Sequence, residues 1–176
     1  MPSVYLGAGH AARLGRVETR ALTKADYDQI VRVIDRWWEG PSTALALPIF
    51  FYELGSLARV VEWDDGTMVG FMLGFVADRP AGWSKSSGVP ESNARVGYMH
   101  LIGIHPEYRR RGVARALYAA FEASCRAASC TVIKAITTHG NDGSVRFHLA
   151  LGYTASNVED YAGPGRARIV FEKPLT

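Results

Sequence analysis

Two cysteines among 176 residues are too few for a disulfide framework, and both, Cys125 and Cys130, fall on or just after one helical pattern. They read as reduced, partly buried thiols. The five histidines, His10, His100, His105, His139 and His148, sit at no metal-ligand spacing, so no metal is expected. No apolar run is long enough to span a bilayer, which argues against a membrane partner. Met1 to Arg16 carries Gly7, Gly9 and Gly15 and lacks the apolar centre of a secretory leader. That stretch reads as a flexible N-terminal extension (residues 1–16), residues 17–176 as one domain, and a cytoplasmic location follows by default. Charge of one sign is also scarce: 20 Lys and Arg stand against 17 Asp and Glu, a net charge of +3. So weak and scattered a basic balance argues against a nucleic-acid partner. Neither common nucleotide loop is present: there is no G-x-x-x-x-G-K-[ST], and no G-x-G-x-x-G after a strand.

The sequence does hold one dense basic run, Arg109-Arg110-Arg111, followed by Gly112-Val113-Ala114. An apolar strand pattern, Tyr98 to Ile104, leads into it. A helical pattern with its apolar stripe at Val113, Leu117, Phe121 and Cys125 leads out. A helix start of this kind presents unpaired backbone N–H groups and the positive end of the helix dipole, a site for phosphate or pyrophosphate. Small residues at 112 and 114 let an anion approach the main chain.

Elsewhere strand and helix patterns alternate. Val17 to Leu22 reads as a strand and Lys24 to Trp38 as a helix, with Thr23 as its N-cap. Pro48 to Leu54 reads as a short helix. Leu57 to Trp63 and Thr67 to Ala77 form a hairpin around Asp64-Asp65-Gly66. Arg79 to Asn93 is a long loop. Thr131 to Thr137 is a strand, and Tyr153 to Lys173 reads as two antiparallel strands around Asn157 to Arg166. Early meandering strands followed by a β-α-β unit predict an α/β (α+β) chain with helices on both faces of a mixed, mostly antiparallel sheet.

Arg109-x-x-Gly112-x-Ala114 resembles the R/Q-x-x-G-x-G/A signature of the GNAT superfamily of N-acetyltransferases. A second stretch, Asn141 through Ser144, Phe147 and His148 to Gly152-Tyr153, resembles that superfamily's later motif. The two occur in the right order with one strand between them, and the resemblance covers roughly residues 17 to 174. It implies the GNAT fold, acetyl-coenzyme A as cofactor, and transfer to the amine of a small molecule by direct attack in a ternary complex. Two other readings stay open: acetylation of a protein N-terminus or lysine, and a non-catalytic acyl-coenzyme A sensor. A homodimer is admitted.

The resemblance also implies residue roles. Ile102, Gly103 and Ile104 would offer backbone groups to the cofactor arm and the oxyanion, with Gly103 permitting close approach. Arg109, Arg110, Arg111, Gly112, Val113 and Ala114 would hold its pyrophosphate, and Asn141 and Ser144 would contact it, although Asn141 also suits a helix N-cap. The superfamily's usual general acid is a tyrosine where this chain has His148. That histidine is either the acid or a packed residue, and Tyr161 is the other candidate acid. His100-Leu101-Ile102-Gly103-Ile104-His105 is similar to the matching strand of serotonin N-acetyltransferase, which makes His100 the candidate base, against a packed strand histidine. Strand alternation puts Tyr98, His100, Ile102 and Ile104 on one face. Trp37, Trp38, Phe50, Phe51, Tyr52 and Trp83 are a mixture of core and acceptor-pocket residues.

Overall fold

The computed structural model describes residues 17–79 and 94–175. The Met1–Arg16 stretch, Trp83 and nearly all of the 79–93 loop lie outside them.

Helix α1, Lys24–Trp38, starts where local chemistry dictates. The Thr23 hydroxyl accepts from the Asp26 N–H while the Asp26 carboxylate takes the Thr23 N–H, a reciprocal capping box. The same carboxylate binds the Arg20 guanidinium at 2.6 and 2.9 Å, tying the helix start to strand β1, Thr19–Ala21. The helix ends at Glu39, whose left-handed backbone lets its N–H return to the Asp35 carbonyl. A 3₁₀ turn, Thr43–Leu45, and a single helical turn, α2 at Ile49–Tyr52, follow.

Strands β2 (Arg59–Glu62), β3 (Met68–Arg79) and β4 (Ala94–Ile104) continue the sheet. Helix α3 (Val113–Ala127), β5 (Val132–Thr137), α4 (Asp142–Ala150), β6 (Thr154–Val158) and β7 (Arg168–Pro174) complete it. The order is β1-β2-β3-β4-β5-β7-β6. Among the described residues only β4 and β5 run parallel, joined through α3 as a β-α-β crossover requires.

The helices divide between the two faces. Ile30, Ile34 and Trp37 of α1 pack with Phe71, Leu73 and Leu101. On the other face the α3 stripe, Val113, Leu117, Phe121 and Cys125, packs with Met72, Met99, Ile133 and Phe171, and α4 adds Val145 and Phe147 at the margin. Helix α3 lies unusually close to the sheet, because a Cβ at Gly70 would fall 2.5 Å from Val113 and one at Gly97 2.3 Å from the Cys125 sulfur.

Two irregularities in β4 create the site. Leu73 pairs with Leu101 but Gly74 with Met99, so His100 is an extra residue, a β-bulge. Pairing with β5 stops at Met99–Ala135, although β4 runs on to Ile104 and β5 to Thr137. The sheet therefore splits just beyond the bulge.

Candidate active site

At the end of β4 the chain enters a turn, Pro106–Tyr108, and then the arginine run. Arg110 (φ 62°) and Gly112 (φ 83°) are both left-handed, with Arg111 between them on the ordinary side. Alternation of this kind turns successive N–H groups toward one point, an anion-binding nest. Gly112 is the N-cap of α3, and no side chain caps that helix. A Cβ placed on Gly112 meets nothing within 4 Å, so the space before the helix start is open to a ligand. The first turn, Val113 and Ala114 included, offers its N–H groups there without intrahelical partners. This cradle fits a pyrophosphate.

The arginines themselves divide differently from the sequence expectation. Arg109 turns away from the cradle: its Nη2 donates to the Trp37 carbonyl at 2.5 Å, closing the C-terminus of α1. In this arrangement Arg109 ties the end of α1 to the loop. Arg111 lies over the rings of Tyr108 and Trp63, 5.1 and 5.9 Å from their centroids. Arg110 has no side-chain partner among the described residues and remains available to an anion.

The split offers further donors. The His105 N–H donates to the Val69 carbonyl at 2.9 Å. Ladder alternation then sends the N–H groups of Gly103 and Leu101 toward β3, and those of Ile102 and Ile104 toward the gap left by β5. Gly103 has a different reason to be glycine than close approach of a ligand. A Cβ there would fall 2.4 Å from the Phe71 ring, itself stacked on Trp37.

The bulge also breaks the expected alternation. Ile102 and Ile104 pack on the α3 face, whereas Tyr98 and His100 face α2. His100 lies flat against Phe50, 3.7 Å between centroids, and its Nε2 is 2.9 Å from the Leu45 carbonyl. A carbonyl can only accept, so Nε2 carries the proton and Nδ1 keeps a lone pair. No described residue occupies that lone pair. Burial pushes the imidazole below its usual range and keeps it neutral. Tyr161 lies near Tyr98 on the same face. In register beyond Tyr98 lie Lys134 and Glu172, a buried ion pair at 2.9 Å. Of the aromatic residues singled out above, Trp37 is core and Phe51 stacks on Tyr27, while Trp38 and Tyr52 are exposed.

His148 is on the opposite face and 5% exposed. It stacks on Phe171 at 3.9 Å, its Nδ1 donates to the Ser144 carbonyl at 2.8 Å, and its Nε2 lies 2.6 Å from the Tyr118 hydroxyl. Both ring nitrogens are thus engaged, and burial again favours the neutral ring. This is the geometry of a packed histidine. Asn141 caps α4, accepting the Ser144 N–H at 3.2 Å and donating to Thr137. Ser144 brings its hydroxyl within 3.3 Å of His148. Sequence reasoning missed Tyr118, which looked like one more apolar helix residue, and the carbonyls of Trp37 and Leu45, which carry no sequence signal.

The model of the Acetyltransferase (GNAT) family matches residues 27–153. The chain belongs to this family. It is an acyltransferase. No curated protein matches the sequence. Among solved structures, the fold is similar to that of Chaetomium thermophilum Naa20 in complex with a bisubstrate analogue, with TM-score 0.70 and 22% identity over 90% of this chain and 87% of that one. It is similar also to Arabidopsis thaliana NAA60 in complex with acetyl-CoA, with TM-score 0.69 and 14% identity over 90% and 99%. A third is the ribosomal-protein-S18-alanine N-acetyltransferase of Escherichia coli, with TM-score 0.65 and 15% identity over 90% and 94%. At these identities the likeness is one of fold. Among the described residues, no group of His, Cys, Asp and Glu could hold a metal ion, and no helix is long and apolar enough to cross a membrane.

Proposed function

We propose that this acyltransferase transfers the acetyl group of acetyl-CoA directly to a weakly basic primary amine on a small apolar or aromatic molecule. Acetyl-CoA is the donor. Its thioester supplies the acyl group. The α3 start with Arg110 would hold the pyrophosphate, and the Ile102 and Ile104 N–H groups would hold the arm and the carbonyl oxygen.

The observation that carries the reading is His100. Its Nε2 proton is fixed on the Leu45 carbonyl, its Nδ1 lone pair is unengaged, and it sits at the bulge where the sheet opens. Such a group takes a proton from an attacking amine, directly or through one water. Its depressed basicity selects the amine. Removing a proton from a lysine-like ammonium (pKa about 10.4) to a group below about 6.5 spans roughly four units, over 5 kcal/mol. An α-amine near pKa 8 asks for at least about 1.5 units, 2 kcal/mol or more. The second figure is compatible with a fast enzyme, while the first would consume much of its rate. Phe50, Phe75, Tyr98 and Tyr161 around His100 favour an apolar or aromatic body on the acceptor.

One observation favours a second carrier for the same amine. Leu45, whose carbonyl binds His100, stands about half exposed, as do Leu47, Ile49 and Tyr52 nearby in sequence, an apolar stretch that suits a polypeptide N-terminus. A panel with acetyl-CoA separates the readings: small apolar or aromatic amines of pKa about 8 or below, short peptides with free α-amines, and peptides with a lysine and a blocked N-terminus. The proposal expects turnover in the first group and none in the last. Turnover confined to free N-terminal peptides moves the acceptor to proteins, and turnover confined to lysine peptides refutes the assignment of His100.

A further inference from the structure

We propose that Tyr27 and Asp35 of α1 are positioning residues for His100. Between them they hold the 42–46 segment, whose Leu45 carbonyl fixes the tautomer and orientation of the imidazole. The proposal deepens the reading of His100 as base and rests on that reading for its catalytic consequence.

Two contacts orient the His100 ring: the Phe50 ring stacked on it at 3.7 Å, and the Leu45 carbonyl 2.9 Å from Nε2. Leu45 lies 55 residues upstream, and its carbonyl does not hold its own place. The 3₁₀ turn Thr43–Leu45 fully buries no side chain. Phe50 sits in α2, a single helical turn. Short elements of this kind take their position from what they are tied to.

Helix α1 supplies the ties. The Asp35 carboxylate accepts the N–H groups of Ser42 and Thr43, each at 2.7 Å and both on Oδ1. Its main-chain carbonyl takes the N–H groups of Glu39 and Gly40, so one residue closes the helix and anchors the turn that follows. Bonds to an ionised acceptor are among the stronger ones. Within the turn the Leu45 N–H returns to the Ser42 carbonyl at 2.9 Å, which carries the anchored geometry to the peptide that His100 meets. Earlier on the same helix, Tyr27 is buried, and its hydroxyl donates to the Ala46 carbonyl at 2.8 Å. Its ring stacks on Phe51 at 5.2 Å. Ala46 follows Leu45 and Phe51 follows Phe50, so Tyr27 grips the neighbour of each His100 contact. The helix itself is fixed, because Ile30, Ile34 and Trp37 pack with Phe71, Leu73 and Leu101 of the sheet.

With the Leu45 carbonyl in place, Nε2 carries the proton and the lone pair is confined to Nδ1. Released from it, the neutral ring exchanges its proton between the two nitrogens and turns in its site. The lone pair that receives the amine proton is then present and aimed for only part of the time. A misplacement of about 1 Å at a reacting group costs up to about a hundredfold in rate.

The test reads His100 in two ways. Imidazole nitrogen NMR near pH 8.5, where the ring is neutral, tells the protonated nitrogen from the one with the lone pair, and turnover with saturating acetyl-CoA and the best amine of the panel gives kcat and KM. Wild type should show one His100 tautomer, with the proton on Nε2. Asp35→Ala should mix the two tautomers and lower kcat by about tenfold or more, while acetyl-CoA affinity by calorimetry stays within about twofold and shows the variant to be folded. Asp35→Asn keeps a side-chain oxygen for both N–H groups and should restore the single tautomer and most of the rate. Tyr27→Phe keeps the stack on Phe51 but loses the bond to Ala46, and should move both readouts as Asp35→Ala does. A single Nε2–H tautomer with wild-type kcat in either variant would overturn the proposal, as would a slowed enzyme whose His100 tautomer is unchanged. Mixed tautomers with undiminished kcat would uphold the link from α1 and refute His100 as the base instead.

Discussion

Removing the Arg109 side chain separates two accounts of the arginine run. The guanidinium donates to the Trp37 carbonyl, one of the last carbonyls of α1, from the far side of the acyl-donor loop. A hydrogen bond from a charged donor contributes about 1.5–3 kcal/mol, and partial exposure argues for the lower end. Arg109→Ala should thus cost about 1.5–2 kcal/mol. In a chain of this size that lowers Tm by roughly 3–8 °C. Trp37 stacks on Phe71 and edges His105, so the loosened end of α1 adjoins the entry to the cradle. The loss should appear in full in the apo protein. Affinity for acetyl-CoA, measured by calorimetry well below the new Tm, should fall by less than about fivefold. Arg110→Ala should show the converse: a small change in Tm and a loss of about tenfold in affinity, since a rim arginine on phosphate acts through charge. An unchanged apo Tm for Arg109→Ala with a large loss of affinity would put Arg109 back on the phosphate and refute the geometry.

Two further outcomes follow. Gly112→Ala forces a left-handed backbone on a residue with a Cβ and should cost about 1–2 kcal/mol while leaving acetyl-CoA binding measurable. Gly112→Glu adds a like charge in the cradle and should abolish the Tm rise with acetyl-CoA, a loss read by thermal shift. Acid should weaken the fold in two stages. His148 is buried and His100 half-buried, and both have lowered pKa values, so the unfolded chain binds more protons and stability falls as pH drops below about 6.5. Arg20 above all, with Thr23, holds the Asp26 carboxyl at about 2, so its contribution is present above about pH 4 and lost between there and pH 2. Because Arg20 is partly exposed, that second stage should amount to about 1 kcal/mol, and Asp26→Asn should flatten it in urea titrations.

Much of this architecture was legible because the informative signals are local. Thr23 and Asp26 lie three apart and cap one another, and the α3 stripe repeats at helical spacing, so both helices read true. The Asp64-Asp65-Gly66 turn joined its strands as expected. The bulge at His100 was not legible: alternation along β4 reads the same whether or not one residue is extra, and the offset is set by β3. The Arg109 contact was not legible either, because its acceptor lies in α1, far upstream. His148 and Tyr118 belong to different helices, and no spacing rule joins them. The mixed, mostly antiparallel sheet with helices on both faces followed from pattern. The partners of individual polar side chains came only from the packing of distant segments.

The central claim is that His100 serves as the base for acetyl transfer, and one profile tests it most directly. His100→Gln retains an N–H for the Leu45 carbonyl but has no lone pair of comparable basicity. With acetyl-CoA saturating and the best amine of the panel, kcat/KM is followed from about pH 6 to pH 10. The account predicts a deficit of about a hundredfold or more near pH 7 that shrinks to within about tenfold at pH 10, where the free amine accumulates unaided. Parallel profiles for wild type and His100→Gln, or an undiminished rate near pH 7 in a folded variant, would contradict it.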